Sequence, residues 1–217
     1  MNRVRNMKLD REKLLLYAVT DRFWLDGRSL EEVVKESLDG GVTFLQLREK
    51  ELDSDAFLKE AIKIKKLCGQ YGVPFVINDR VDIAKEIDAD GVHVGQSDME
   101  AGKVRETLGP DKIIGVSAQT VEQALKAQEN GADYLGVGAV FTTGSKDDAK
   151  PVSVETLKAI CSAVTIPVVA IGGVNERNIA QLSGSGICGA AVISAIYAKD
   201  DIKAAAGRLK EAVRKSL

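Results

Sequence analysis

Polar side chains recur at every second position in residues 43–50, a spacing that could build a binding surface. If this segment is a β-strand, its side chains point alternately to the two faces of a sheet. Gln46, Arg48 and Lys50 then share one face. Because buried polar groups without partners are costly, these side chains are expected to meet a ligand. The pattern indicates an anion-binding wall, and the alternative is a structural ion pair, for example between Arg48 and Asp21.

Two carboxylates follow successive strand-like segments, Asp79 directly and Asp98 in a loop. Carboxylates at one rim suit Mg2+, a hard cation that takes oxygen ligands and often sits on substrate phosphates. Asp98 could instead cap a helix that starts at Met99. His93 is the only histidine in the sequence and lies within a strand-like run. A packed histidine and a catalytic one are both consistent with that position.

Three further segments could contribute to the same site. The loop 141–151 is rich in hydroxyl groups and contains Lys146, so it could fold over a diphosphate and exclude water. A mobile, solvated loop is the alternative. Gly172 and Gly173 follow another strand-like run and would let backbone amides approach a phosphate. Ser117 could line the site or cap the next helix, and no serine-hydrolase motif surrounds it.

The elements that must position these residues alternate regularly along the chain. Short β-branched or apolar runs are each followed by a stretch of helical periodicity, including one over 178–184. The eight strand candidates span 15–20, 43–48, 74–78, 91–94, 113–117, 134–137, 168–171 and 189–193. This alternation predicts an α/β protein, a (β/α)8 TIM barrel formed by one domain over residues 1–217, with residues 1–13 as an N-terminal arm or helix. The active residues of such barrels lie at the C-terminal ends of the strands.

Composition narrows the classes of partner and compartment. The 30 basic and 32 acidic residues give a net charge of −2, so no overall basic field favours nucleic acid. The apolar run nearest the N-terminus is too short for a membrane span or a signal peptide. Three cysteines, odd in number and far apart, suit the reducing cytoplasm. We therefore expect a cytoplasmic protein with small-molecule ligands, and the sequence leaves a homo-oligomer open.

The order of these motifs resembles the thiamine-phosphate synthase (thiamine-phosphate pyrophosphorylase) family over nearly the whole chain. The matching segments are 17–21, 46–50, 78–79, 93–98, 115–117, 143–146, 172–173 and 193–194. The resemblance implies a transferase that joins 4-amino-5-hydroxymethyl-2-methylpyrimidine diphosphate to 4-methyl-5-(2-hydroxyethyl)thiazole phosphate. Thiamine phosphate and diphosphate would be released.

The resemblance also implies a role for individual residues. One Mg2+ would be held by Asp79 and Asp98. The diphosphate would contact Arg48, Lys50, Asn78 and Lys146, with Gln46 and Ser117 near the pyrimidine. The thiazole phosphate would contact Thr143, Ser145, Gly173, Ile193 and Ser194. Arg48, Lys50, Ser117 and Lys146 would act in catalysis.

Two other functions fit parts of the pattern. A thiazole tautomerase of similar fold would need a proton-transfer group, typically histidine, where Ser117 and Gln119 stand. A non-catalytic barrel that binds a phosphorylated metabolite would not need both the carboxylate pair and Lys146. The absence of a histidine there, and the presence of the carboxylate pair together with Lys146, therefore favour the synthase.

Overall fold

The computed structural model describes residues 9–142 and 151–217. Three predicted site residues, Thr143, Ser145 and Lys146, lie outside the described residues, as does the predicted arm up to residue 8. The remaining predicted site residues are all described.

Eight parallel strands close into a barrel in sequence order. They are β1 Leu16–Val19, β2 Phe44–Leu47, β3 Phe75–Asn78, β4 Gly91–Val94, β5 Ile113–Ala118, β6 Tyr134–Val137, β7 Val168–Ile171 and β8 Gly189–Val192. The barrel closes where β1 pairs with β8, with Ala18 opposite Val192. The predicted TIM barrel is confirmed.

α-Helices follow most of the strands. They are α1 Leu30–Asp39, α2 Ser54–Tyr71, α3 Val81–Glu86, α4 Ala101–Leu108, α5 Val121–Glu129, α6 Val154–Ala163, α7 Ser194–Tyr197 and α8 Ile202–Ser216. Many begin with a polar cap: the Ser29 hydroxyl accepts from the backbone of Glu32, whose carboxylate bonds back to Ser29, a reciprocal arrangement that satisfies two free donors.

Two local predictions differ from the structure. The helix predicted over 178–184 is only a 3-10 helix, Ile179–Leu182. Its start, Asn178, offers no side-chain cap, and Gly184 takes a left-handed φ of 70°, so the segment turns before an α-helix can extend. The short helix α7 was not predicted, because four residues carry no measurable helical periodicity.

The core forms two layers, as strand alternation requires. An outer layer between sheet and helices includes Leu45 and Leu47, whereas an inner layer inside the barrel includes Phe44. Tyr17, Phe44 and Tyr134 meet edge to face in the inner layer, with ring centroids 4.6 to 5.9 Å apart. Phe44 and Gln46 therefore point into the barrel, and the predicted alternation of the β2 side chains is correct.

The described part of the N-terminal segment packs against the barrel. Residues Arg11–Leu14 form a 3-10 helix capped by Asp10. Leu14 is fully buried in the inner layer, and the guanidinium of Arg11 donates to the carbonyl of Gly186 at 3.4 Å. This 3-10 helix covers only the last three residues of the predicted arm, so the choice between an arm and a helix over residues 1–13 stays a prediction.

All three cysteines are free thiols. Burial raises the pKa of Cys68 to about 12 and the pKa of Cys161 and of Cys188 to about 11. Within residues 9–142 and 151–217, no helix combines the length and the apolar character needed to cross a membrane.

Candidate functional site

A cavity of about 1050 Å³ opens at the C-terminal ends of the strands. The predicted site residues that line it are Arg48, Lys50, Asn78, Asp79, Asp98, Ser117, Gly173, Ile193 and Ser194. Gln46 lines a smaller adjoining cavity, which shares Arg48, His93 and Ser117 with the larger one. The structure thus brings every described member of the predicted site to one end of the barrel.

Arg48 lies at the end of β2 and is held from two directions. Its Nη1 is 2.9 Å from Oδ2 of Asp21, and its backbone N–H donates to the hydroxyl of Thr20 at 3.0 Å. The residue is 7% exposed and lines both cavities. The sequence offered a ligand-binding wall and a structural ion pair as alternatives for Arg48, and the structure combines them. Asp21 fixes the guanidinium of Arg48, and Arg48 still borders the cavity.

The loop that carries Lys50 is fixed from behind by Arg22. The guanidinium of Arg22 forms ion pairs with Glu49 and Glu60. The Glu49 carboxylate also accepts the backbone N–H groups of Lys50 and Glu51, at 2.8 and 2.9 Å. Burial raises the pKa of Glu49, but these hydrogen bonds and Arg22 outweigh it, so the net shift is downward and the carboxylate stays ionised.

Asp79 and Asp98 border the same cavity from β3 and from the loop after β4. Asp79 adopts a left-handed φ of 61°, which aspartate tolerates better than most residues, and its carboxylate accepts from the Asn78 amide at 2.6 Å. Asp98 does not cap a helix, because α4 starts only at Ala101 after Glu100; that alternative is wrong. Instead its Oδ2 accepts the backbone N–H of Gly95 at 2.7 Å.

The donor set of these two residues fits Mg2+. The described residues contain no group of three or more His, Cys, Asp or Glu side chains able to enclose a metal by themselves. Mg2+ commonly takes only one or two protein carboxylates and completes its shell with water and substrate phosphates. Two carboxylates beside a cavity with Arg48 and Lys50 are the set such binding needs.

His93 points into the barrel and is hydrogen-bonded on both ring nitrogens. Its Nδ1 is 2.9 Å from the hydroxyl of Tyr134 and its Nε2 is 2.9 Å from the hydroxyl of Ser117. The residue is 7% exposed and borders both cavities. The packed interpretation of His93 is confirmed, whereas a catalytic role stays a prediction. Ser117 does not cap α5, whose cap is Thr120.

The ends of β7 and β8 form the opposite wall. Gly172 and Gly173 have positive φ values of 91° and 67°, which glycine adopts freely. The carbonyl of Gly173 accepts from the side-chain amides of Asn175 and Asn178, at 3.0 and 2.8 Å, so the turn is fixed. Ile193 and Ser194 lie beside it at the start of α7.

Sequence reasoning missed several residues of this region. Tyr134 carries no motif, and it became visible only because β6 turns its side chain inward toward His93. Arg177, Lys199 and Arg208 also line the cavity, and Arg208 pairs with Glu176 at 3.4 Å. An inward polar position on a predicted strand could have revealed Tyr134, whereas nothing in the sequence singled out the three cations.

The sequence model of the family described as "Thiamine monophosphate synthase" matches residues 16–196. The chain belongs to this family. It is 54% identical over 194 residues to the thiamine-phosphate synthase of Clostridium tetani, covering 89% of this chain and 93% of that protein. It is 53% identical over 196 residues to the enzyme of the same name from Ruminiclostridium cellulolyticum, covering 90% and 93%.

A solved structure gives the same result. The thiamine phosphate pyrophosphorylase from Pyrococcus furiosus superposes with a TM-score of 0.88 at 40% identity, covering 95% of this chain and 98% of that one. Membership of the thiamine monophosphate synthase family confirms the predicted transferase function. These similarities give no support to the tautomerase or to the non-catalytic binding barrel.

Proposed function

We propose that the mouth of this barrel couples 4-amino-5-hydroxymethyl-2-methylpyrimidine diphosphate to 4-methyl-5-(2-hydroxyethyl)thiazole phosphate. One observation carries the proposal: a single cavity has cations and carboxylates on one wall and a glycine-rich backbone turn on the other. The first wall suits a diphosphate with its metal, and the second suits a monophosphate. The products are thiamine phosphate and diphosphate.

Departure of diphosphate is the step that the first wall would assist. The bond between the pyrimidine methylene carbon and the diphosphate oxygen breaks, and its electron pair leaves with the diphosphate. Arg48 and Lys50 would stabilise the charge that develops on the leaving group, and Asn78 would orient it. Because Asp21 already holds the guanidinium of Arg48, little reorganisation is needed when that charge appears.

A bound Mg2+ would neutralise part of the diphosphate charge. Asp79 and Asp98 are the residues proposed to hold it, since both carboxylates border the cavity beside Arg48 and Lys50. No other residue is needed for the metal, because substrate oxygens and water would complete its shell.

Bond formation needs no protein base at the nucleophile. The thiazole ring nitrogen attacks the methylene cation with its own lone pair, so no proton leaves that nitrogen. The second wall, with Gly173, Ile193 and Ser194, would hold the thiazole phosphate so that the nitrogen faces the cation. A single histidine in the chain is consistent with this chemistry, whose main requirement is electrostatic.

Water must be kept from the cation, which it would otherwise trap. We propose that the segment 141–151 covers the site, with Lys146 on the diphosphate and Thr143 and Ser145 on the thiazole phosphate. The support is the composition of the segment and the family resemblance. We also propose a cytoplasmic location, which three free cysteines favour.

Incubation of the purified protein with both substrates and Mg2+ tests the function. Thiamine phosphate and diphosphate should form in equal amounts, and omission of either substrate should abolish thiamine phosphate. Arg214→Ala, an exposed change on α8, should leave the rate unaltered. The proposal fails if neither product appears with protein that is folded by circular dichroism.

A further inference from the structure

A chain of hydrogen bonds crosses the interior of the barrel from β2 to β5. The amide nitrogen of Gln46 donates to the hydroxyl of Tyr17, which is 2.8 Å from the hydroxyl of Tyr134. The Tyr134 hydroxyl is 2.9 Å from Nδ1 of His93, and Nε2 of His93 is 2.9 Å from Oγ of Ser117. The chain therefore runs from a buried amide to a hydroxyl in the cavity wall.

The orientation of the Gln46 amide, with its nitrogen toward the hydroxyl of Tyr17, sets the direction of this chain. An amide nitrogen only donates, so Tyr17 accepts a hydrogen bond from Gln46. If Tyr17 then donates to Tyr134 and Tyr134 donates to Nδ1, each hydroxyl proton has an acceptor. In the reverse direction, the proton of Tyr17 has no acceptor among the hydrogen bonds of residues 9–142 and 151–217, and an apolar layer surrounds it. A buried donor without an acceptor loses its hydrogen bonds to water and gains none in return, which costs free energy.

Both tyrosines remain uncharged hydroxyls, so each carries one proton. Burial raises the pKa of Tyr17 and of Tyr134 well above the ordinary value for tyrosine. In the direction in which Tyr134 donates its proton to Nδ1, the ring proton of neutral His93 lies on Nε2 and is donated to Oγ of Ser117. The hydroxyl proton of Ser117 is then available to an acceptor in the cavity.

Two glycines create the space for this arrangement. A Cβ on Gly115 would lie 2.1 Å from Cζ of Tyr134 and 2.5 Å from Nδ1 of His93. A Cβ on Gly136 would lie 3.1 Å from Cε1 of His93. The rings of His93 and Tyr134 thus occupy room that β5 and β6 leave free, so their contact is built into the barrel rather than incidental.

We propose that His93 is a positioning residue that makes Ser117 a hydrogen-bond donor toward an acceptor atom of the pyrimidine diphosphate. The backbone of Ser117 is fixed independently, because its carbonyl accepts from the side-chain amide of Gln96 at 2.6 Å. The backbone of Ser117 is thus held by Gln96, and its hydroxyl oxygen accepts from His93. The hydroxyl proton is left to donate, and Ser117 lines the cavity. The identity of the substrate rests on the proposed function, whereas the direction of the chain does not.

The direction of donation along this hydrogen-bond chain can be measured without any substrate. Because His93 is the only histidine, protein labelled with 15N-histidine gives ring-nitrogen signals from this side chain alone. We expect Nδ1 to resonate as an unprotonated nitrogen and Nε2 to carry the proton. A proton on Nδ1, or two signals averaged between the tautomers, would overturn the proposal.

Enzyme kinetics test whether the direction of donation along the chain affects turnover. Tyr134→Phe removes the donor to Nδ1, so we expect mixed tautomers and a fall in kcat of roughly tenfold or more, with KM for the thiazole phosphate unchanged. Tyr197→Phe is the matched control. It also removes a buried hydroxyl, which lies 3.2 Å from Oγ of Ser37 and outside the cavity. Equal losses in the two variants would overturn the proposal, because they would indicate general destabilisation.

A third set of variants tests whether His93 and Tyr134 act through Ser117. Ser117→Ala should lose at least as much kcat as Tyr134→Phe, Ser117→Thr should recover part of it, and the double variant should fall no further than Ser117→Ala. Independent, multiplying losses would overturn the proposal. If even the unaltered protein makes no thiamine phosphate, the proposed function fails and the nitrogen spectra alone decide the tautomer.

Discussion

The β2–β5 side and the β7–β8 side of the barrel mouth present their polar groups differently. On the β2–β5 side, charged and polar side chains are already fixed by partners, as Arg48 is by Asp21 and Ser117 by His93. On the β7–β8 side, the backbone itself is shaped, with positive φ at Gly172 and Gly173. The first side should therefore be sensitive to the chemical type of a residue, and the second to the mere presence of a Cβ atom.

The largest loss is expected on the β2–β5 side, from Asp79→Ala or Asp98→Ala. Removing a ligand from the proposed Mg2+ should lower turnover about 100-fold, equivalent to ~3 kcal/mol in the transition state. Initial rates measured over a Mg2+ titration would reveal it. Glu211→Ala, an exposed carboxylate removed from α8, serves as the control. An unaltered Mg2+ dependence would exclude the two aspartates as ligands.

Arg48→Ala should come next, with a fall of roughly 10- to 100-fold in the rate of diphosphate release. The leaving group loses a fixed positive charge, and Asp21 loses its partner. Single-turnover measurement of diphosphate formation separates this step from product release. An effect confined to the affinity for the thiazole phosphate would instead assign Arg48 to the binding of that substrate.

On the β7–β8 side, Gly173→Ala should raise KM for the thiazole phosphate by about tenfold, since a misplaced binding group is costly. The added Cβ would lie 2.5 Å from the carbonyl oxygen of Thr142, at a φ that alanine rarely adopts. Gly184→Ala is a matched control, because its φ is also positive but its Cβ would meet no atom within 4 Å. If both variants change KM equally, the close contact at Gly173 has no role in binding.

The smallest effect is expected from Asp21→Asn, about three- to tenfold in kcat, because the charge of Arg48 remains and only its placement is loosened. A double-mutant cycle with Arg48→Ala measures the coupling. The double variant should be no slower than Arg48→Ala alone. Fully multiplicative losses would show that Asp21 acts independently of Arg48.

On both sides of the barrel mouth, the sequence could predict the residues whose placement depends on local pattern. Strand alternation correctly placed Gln46 and Arg48 on the inner face of β2, because that periodicity is local. The rim aspartates and Gly173 followed from their position after strands. Arg48, the two aspartates and Gly173 line one cavity and Gln46 lines the adjoining one, whereas the individual roles of these residues stay predictions.

Contacts between distant strands could not be predicted in the same way. Tyr17 and Tyr134 are separated by 117 positions, and their contact depends on the registers of all the strands between them. The short helix α7 escaped prediction for the opposite reason, since it is too short to show periodicity. Segment 178–184 has a helix-like pattern, but its glycine-containing end limits it to a 3-10 turn.

The raised pKa values of the three cysteines, two of which are also buried, make the protein suitable for site-directed labelling. Maleimides and similar reagents react with thiolates, and the pKa values of about 12 for Cys68 and about 11 for Cys161 and Cys188 keep these groups protonated at neutral pH. A cysteine placed at exposed Ser97, on the cavity rim, would ionise near pH ~8.5. A fluorophore attached there would report substrate entry without prior removal of the native cysteines.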